Sequence, residues 1–187
     1  MLQIIKKANR FGIPMVIDEA YNGFYPLTYI KKIKKYSNLI ICRTFSKNFG
    51  LAGLRVGYIA SSVKIIDYLR KFKPMYEVNN VSVIAASLII KNMRIVKQYV
   101  KETNKSKNNL KKLLKNKKIN FFQSKTNFLL FEVKKNKKKV IRYLNSKNIL
   151  ISDNSPLQNY LRVTVGPISS MKKFYKYFKL CIDNLIL

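Results

Sequence analysis

No histidine occurs anywhere in the 187 residues, and that absence removes several chemistries at once. A Ser-His-Asp or Cys-His hydrolase needs an imidazole base, and a histidine-ligated metal centre needs imidazole nitrogen, so neither is available. Cysteine is almost as scarce. Cys42 and Cys181 stand far apart, without the close spacing of a metal or redox pair, as expected of a chain kept in a reducing cytosol. No apolar run approaches the ~20 residues of a membrane helix. The first eleven residues have a helical pattern with lysines inside it, unlike a secretory signal. Together these features predict a cytoplasmic protein with no membrane partner.

Acidic residues are the other shortage. Eight Asp and Glu stand against 38 Lys and Arg, a formal net charge of +30. Such a balance is that of a nucleic-acid or anionic-membrane binder. The distribution argues otherwise, because the lysines are scattered through nearly every segment among Ile, Asn, Tyr and Phe, as A+T-rich coding would place them. The densest runs, 111–118 and 134–139, read as a helix terminus and a loop entering a helix, where charge is ordinarily solvated. A specific nucleic-acid site is not expected. The field still favours anionic substrates and nonspecific contact with nucleic acid.

The residues that are present point to a phosphorylated carbonyl compound. The stretch from Arg43 to Tyr58 sets Lys47 among the hydroxyls of Thr44 and Ser46, the glycines Gly50 and Gly53, and Arg55 eight residues on. A lysine amine attacks a carbonyl only when deprotonated, which burial or neighbouring cations promote, and Arg43 and Arg55 are the cations nearby in sequence. Arg55 has the planar fork that suits phosphate oxygens, and glycines let backbone approach closely. Upstream, the apolar run 13–17 reads as a buried strand delivering Asp18 to its carboxyl end, where α/β sheets bind ligands. A second apolar run, 38–43, leads into the Lys47 loop. The two loops then open on the same edge of one parallel sheet, where Asp18, Tyr21, Lys47 and Arg55 converge.

Asp18-Glu19-Ala20-Tyr21, followed by Thr44-Phe45-Ser46-Lys47 and Gly50-Leu51-Ala52-Gly53-Leu54-Arg55, closely resembles the pyridoxal-phosphate aminotransferases of fold type I, and within them the histidinol-phosphate aminotransferase branch. The resemblance implies that Lys47 forms the Schiff base with pyridoxal 5'-phosphate and shuttles the substrate proton. It implies that Asp18 pairs with the pyridinium nitrogen, Tyr21 with the phenolic oxygen, and Thr44, Ser46 and Arg55 with the phosphate. The later stretch from Tyr160 to Gly166 resembles the motif whose arginine, here Arg162, grips the substrate α-carboxylate. Read as residues alone, Asp18 is equally a helix cap or turn carboxylate, Tyr21 a core-edge aromatic, and Arg162 an ordinary basic residue on a strand.

The implied fold is α/β: the C-terminal part of a cofactor-binding large domain over 1–96, then a linking helix and an α+β small domain over 97–187. By the same resemblance the chain is about half the family length. It lacks the early glycine-rich turn, the aromatic that stacks on the ring and the asparagine beside its phenolic oxygen. The implied protein is a truncated or split transaminase acting on an amino acid and a 2-oxo acid, as a homodimer or with a complementing N-terminal polypeptide. An inactive fragment, a decarboxylase of the same family and, least favoured, a basic binding protein are the alternatives. Ser152 stands where the histidinol-phosphate branch carries an arginine, which argues against that substrate. The segment 73–80 also departs from that branch.

Hydrophobic periodicity predicts helices over 2–11, 29–36, 63–72, 78–92, 95–114, 138–145 and 169–187. Strands are expected over 14–17, 39–42, 55–60, 127–133, 149–151 and 161–165.

Overall fold

The computed structural model of the protein describes residues 1–151, 153 and 157–186. They form two compact units, Met1–Val96 and Lys97–Leu187.

In the first unit, helix α1 (Leu2–Arg10) precedes strand β1 (Met15–Asp18), a 3₁₀ turn at Ile30–Lys34 and strand β2 (Leu39–Thr44). β1 and β2 run parallel, with Val16 opposite Ile40 and Asp18 opposite Cys42. One face of the pair, carrying Leu39 and Ile41, packs on Ile5 of α1 and on Tyr36, and these four side chains form the core of that side. Strand β3 (Gly57–Ala60) adds to the other edge of β2, antiparallel rather than parallel. The reason is the connection: the stretch from Phe45 to Val56 contains only a 3₁₀ turn at Ala52–Leu54, and lacks the helix that usually makes a parallel crossover. Residues 55 and 56, expected in this strand, lie outside it.

Two helices follow, α2 (Val63–Arg70) and α3 (Asn80–Lys91). Asn79 caps α3, its side-chain oxygen accepting from Ser82 N at 2.8 Å, while Ser82 Oγ donates to Leu54 O at 2.7 Å. These bonds fix α3 against the loop that carries Lys47. Phe45, Val56 and Ala86 are buried at that contact.

Helix α4 (Met93–Asn116) leads into the second unit, whose sheet has the order β4 (Phe121–Phe122), β5 (Phe128–Glu132), β6 (Tyr160–Thr164), all antiparallel. Helices α5 (Lys137–Ser146) and α6 (Ile168–Cys181) complete it. Alternation along the strands sends Leu129, Phe131, Leu161 and Val163 inward against Leu110, Leu144 and Phe178. Each such fully buried side chain contributes about 1.5–3 kcal/mol. The stretch 149–151 is not a strand. Ile149 and Ile151 pack on the core as irregular chain instead. Among the described residues, no helix is long and apolar enough to cross a membrane.

Candidate functional site

The carboxyl ends of β1 and β2 carry most of the expected residues, because the parallel register brings both strand ends level. Asp18 closes β1 with an exposed carboxylate whose Oδ1 accepts from Ala20 N at 2.8 Å. It is therefore a turn carboxylate as well as a strand-end one. Opposite it, the Cys42 thiol is pushed up from its ordinary pKa by burial and then by the Asp18 charge, so it stays protonated near neutral pH.

Beyond β2 the chain turns sharply. Ser46 N donates to Thr44 Oγ1 at 3.0 Å, and Thr44 Oγ1 lies 2.9 Å from Ser46 Oγ. Thr44 Oγ1 also sits 3.5 Å from Val56 O, which ties the start of the loop to its end. Lys47 follows, half-buried, with its Nζ 5.6 Å from the centre of the Tyr21 ring. The cationic amine over an aromatic face is a favourable contact, and it brings together two of the expected residues. Arg55 lies at the loop's far end, exposed, with Nη1 donating to Ala52 O at 3.2 Å. Its backbone is left-handed, φ 51° and ψ 39°, a region that costs a residue with a side chain roughly 1 kcal/mol and recurs at binding sites.

Glycines and Arg43 have further structural parts here. Around Gly50 and Gly53 a Cβ would meet no described protein atom within 4 Å, and Gly50 is in addition favoured by its φ of +74°. A close backbone approach is at Gly57, where a Cβ would stand 2.7 Å from Arg43 O on the neighbouring strand. Arg43 is not a free cation beside Lys47. Its Nε and Nη2 donate to Glu19 Oε2 at 3.1 and 2.8 Å, its Nη2 also to Thr28 Oγ1 at 2.7 Å, and its Nη1 to Tyr58 OH at 3.2 Å. Burial works against the guanidinium charge, but the bonds to Tyr58 and Glu19 more than offset it and hold its pKa above the ordinary value.

Glu19 is the residue that sequence reasoning missed. It is buried, and it also accepts from Thr28 Oγ1 and Tyr29 N, both at 2.7 Å. With its pairing to Arg43 it clamps the Asp18 turn to the end of β2. The register held the signal. If Asp18 lies opposite Cys42, the next residues on each strand, Glu19 and Arg43, must also be neighbours.

Arg162 belongs to the second unit. It sits on the outer face of β6, exposed, with its guanidinium 4.8 Å from the centre of the Phe128 ring. It lines a cavity of about 390 Å³ together with Ile149, Leu150, Gly166, Ser170 and Phe174. A fork stacked on an aromatic ring keeps its edge donors available to a carboxylate. Ser152, expected to replace a substrate-binding arginine, lies outside the described residues.

The family model described as "Aminotransferase class I and II" matches residues 1–178. Histidinol-phosphate aminotransferase 1 of Carboxydothermus hydrogenoformans is 35% identical over 176 residues, which are 94% of this chain and 50% of that protein. Histidinol-phosphate aminotransferase from Sinorhizobium meliloti, solved in complex with pyridoxal-5'-phosphate, superposes with a TM-score of 0.78 at 22% identity, over 97% of this chain and 53% of that one. L-threonine-O-3-phosphate decarboxylase from Porphyromonas gingivalis gives 0.77 at 22% identity, over 98% and 58%. The chain thus spans about half the length of the relatives it matches, and its fold is that of the fold type I pyridoxal-phosphate-dependent transferases. On the strength of the matched segment and of the sequence identity, the chain belongs to the class I and II aminotransferases.

Proposed function

We propose that the chain carries the lysine-bearing half of a pyridoxal 5'-phosphate site and takes part in amino-group transfer between an amino acid and a 2-oxo acid. The observation that carries this reading is the Lys47 amine resting on the Tyr21 ring, on a loop headed by the paired hydroxyls of Thr44 and Ser46. The donor set fits the cofactor: an amine for its aldehyde carbon, two hydroxyls and the Arg55 guanidinium for its phosphate, and the Asp18 carboxylate for its ring nitrogen. When bound, the cofactor supplies an electron sink that makes the substrate α-proton acidic.

Each residue then has a part in the chain's own chemistry. Lys47 would hold the cofactor through its amine, and its free amine would be the base that carries the substrate α-proton. Asp18 keeps the ring nitrogen protonated by offering it a negative charge. Tyr21 orients Lys47 through its ring face and offers its hydroxyl to the ring oxygen. The Glu19 and Arg43 pair holds these two loops in register. Arg162 binds the α-carboxylate, and fixing that group is the kind of orientation that lowers a barrier by several kcal/mol.

The exposed sheet face of the first unit supports a further part of this reading, that residues beyond this half complete the enzyme. Parallel strands are normally covered on both faces. Here Val16 is 61% exposed and Ile59 48%, on the face that also carries Asp18. We infer that the remaining half of the architecture, from a complementing polypeptide or a second subunit, covers it.

The test is reductive trapping. With pyridoxal phosphate and borohydride, the peptide containing Lys47 is expected to gain the reduced cofactor, and Lys47→Ala to gain none. Trapping only when the complementing polypeptide is added supports a split site. Absence of trapping under both conditions sinks the cofactor reading. Transamination and decarboxylation are separated by whether a 2-oxo acid or carbon dioxide appears.

A further inference from the structure

The lysines of α4 are arranged differently from those of the rest of the chain. This helix carries eight Lys and Arg and a single acid, Glu102. At 100° per residue, Lys101, Lys105, Lys112 and Lys115 fall within about 80° of one another round the axis, and Asn104 and Asn108 lie on the same side. At about 1.5 Å per residue the four lysines extend over roughly 21 Å. All four are exposed. Glu102 lies off this stripe and accepts from Gln98 Nε2 at 3.2 Å.

The stripe is one wall of a groove of about 760 Å³, and Gln123 lines the opposite side. Lys111 Nζ donates to Gln123 Oε1 at 2.8 Å and so holds the walls at a fixed spacing. Outside the groove lining, on another side of α4, Lys107 is buried, with Nζ donating to Thr126 O at 2.6 Å and Ser124 O at 3.5 Å. Burial and then the charges of Lys111 and Lys125 push the Lys107 amine below its ordinary pKa. Burial, Lys125 and Lys115 do the same to Lys111. Lys101, Lys105, Lys111, Lys112 and Lys115 all line the groove, and no carboxylate does. The ion pairs of the second unit among the described residues, Lys117 with Asp183 and Lys137 with Asp153, use none of the stripe.

The lining also selects the ligand. It consists of Lys, Asn and Gln alone, with no apolar side chain to seat those of a peptide and no aromatic ring to stack a base. Its length exceeds a single phosphate and suits a repeating anion. We propose that this groove binds the phosphodiester backbone of nucleic acid without regard to sequence, a role separate from amino-group transfer. A strand of duplex rising 3.4 Å per phosphate presents roughly six phosphates over this length, enough to engage all four lysines.

The test uses the full chain, a labelled duplex of about 20 base pairs and salt from about 50 to 200 mM. Four neutralised phosphates predict a slope of log K against log salt near −3.6, at ~0.9 per phosphate. Lys105→Glu with Lys112→Glu is expected to lower the magnitude of that slope by about 1.8 and to weaken binding at least roughly ten-fold at ~0.1 M salt. Lys138→Glu with Lys139→Glu makes the same change in net charge on α5, at exposed positions away from the groove, and is expected to weaken binding less than about three-fold. Circular dichroism checks that both variants fold. Equal weakening by the two pairs, no salt-dependent binding by the parent chain, or equally tight binding of polyglutamate would each overturn the proposal.

Discussion

Glu19 has four donors converging on one buried carboxylate: Thr28 Oγ1, Tyr29 N, and two nitrogens of Arg43. Side-chain exposure is 6% for Glu19 and 16% for Arg43, so the pair is desolvated and must be judged as a buried one. Forming such a pair gains little over apolar packing, but removing one partner strands a charge at a cost of about 3–5 kcal/mol. Arg43→Met would leave Glu19 with Thr28 and Tyr29 alone. The expected loss is about 3 kcal/mol, read as a lower urea midpoint. Glu19→Gln with Arg43→Met removes both charges and is expected to recover part of that loss. If the single variant unfolded at the parent midpoint, the clamp would be no more than a surface ion pair, and the coupling of the Asp18 turn to the Lys47 loop would lose its physical basis.

Helix α4 poses the opposite problem, polar groups buried without partners. Thr103 and Ser106 are fully buried on it, and neither hydroxyl oxygen has a hydrogen-bond partner among the described residues. Thr103→Val replaces the hydroxyl with a methyl of similar size and is expected to stabilise the protein by about 1 kcal/mol, measured by thermal or urea unfolding. The helix itself was legible from its lysine-rich amphipathic repeat, and α1 from its own, while β1, β2 and β5 were legible as short apolar runs. Less local features were not. The direction of β3 follows from a connection that holds no crossover helix, and the packing of 149–151 as irregular chain is set by tertiary contacts. The placement of Asp18 at a strand end and of Thr44, Ser46 and Lys47 at the turn beyond β2 was legible because they lie in continuous motifs. The Glu19 and Arg43 pair spans 24 residues and emerges only from the strand register, which a propensity reading does not supply. The α4 groove escaped for a similar reason: a composition count sees scattered lysines, and only the helical turn aligns them.

At the scale of the whole molecule, a net charge of +30 makes the response to alkali a contest between two effects. As pH rises toward the sequence pI of about 10.2, lysines lose protons, self-repulsion falls and the folded state gains. A buried thiol and a partly buried phenol of the second unit act the other way. Burial pushes the Cys181 thiol up to about 11 from 9.0, and the Tyr175 hydroxyl, which donates to Ser106 O, up to about 12 from 10.0. Between pH 9 and 11 the unfolded thiol has released its proton while the folded one keeps it, so the folded state binds more protons and stability falls as pH rises. Tyr175 acts with the same sign between pH 10 and 12. Each group contributes a slope of about 1.4 kcal/mol per pH unit within its window. The lysine contribution is shared by all variants and cancels in a comparison. Urea unfolding at several pH values should therefore show Cys181→Ala losing stability less steeply than the parent from pH 9 to 11, whatever the cavity costs it at neutral pH. Tyr175→Phe should flatten the curve only above pH 10. Parallel curves for all three proteins would mean that these groups ionise as freely in the folded state as in the unfolded chain, and the second unit's core would have to be wetter around α6 than its packing implies.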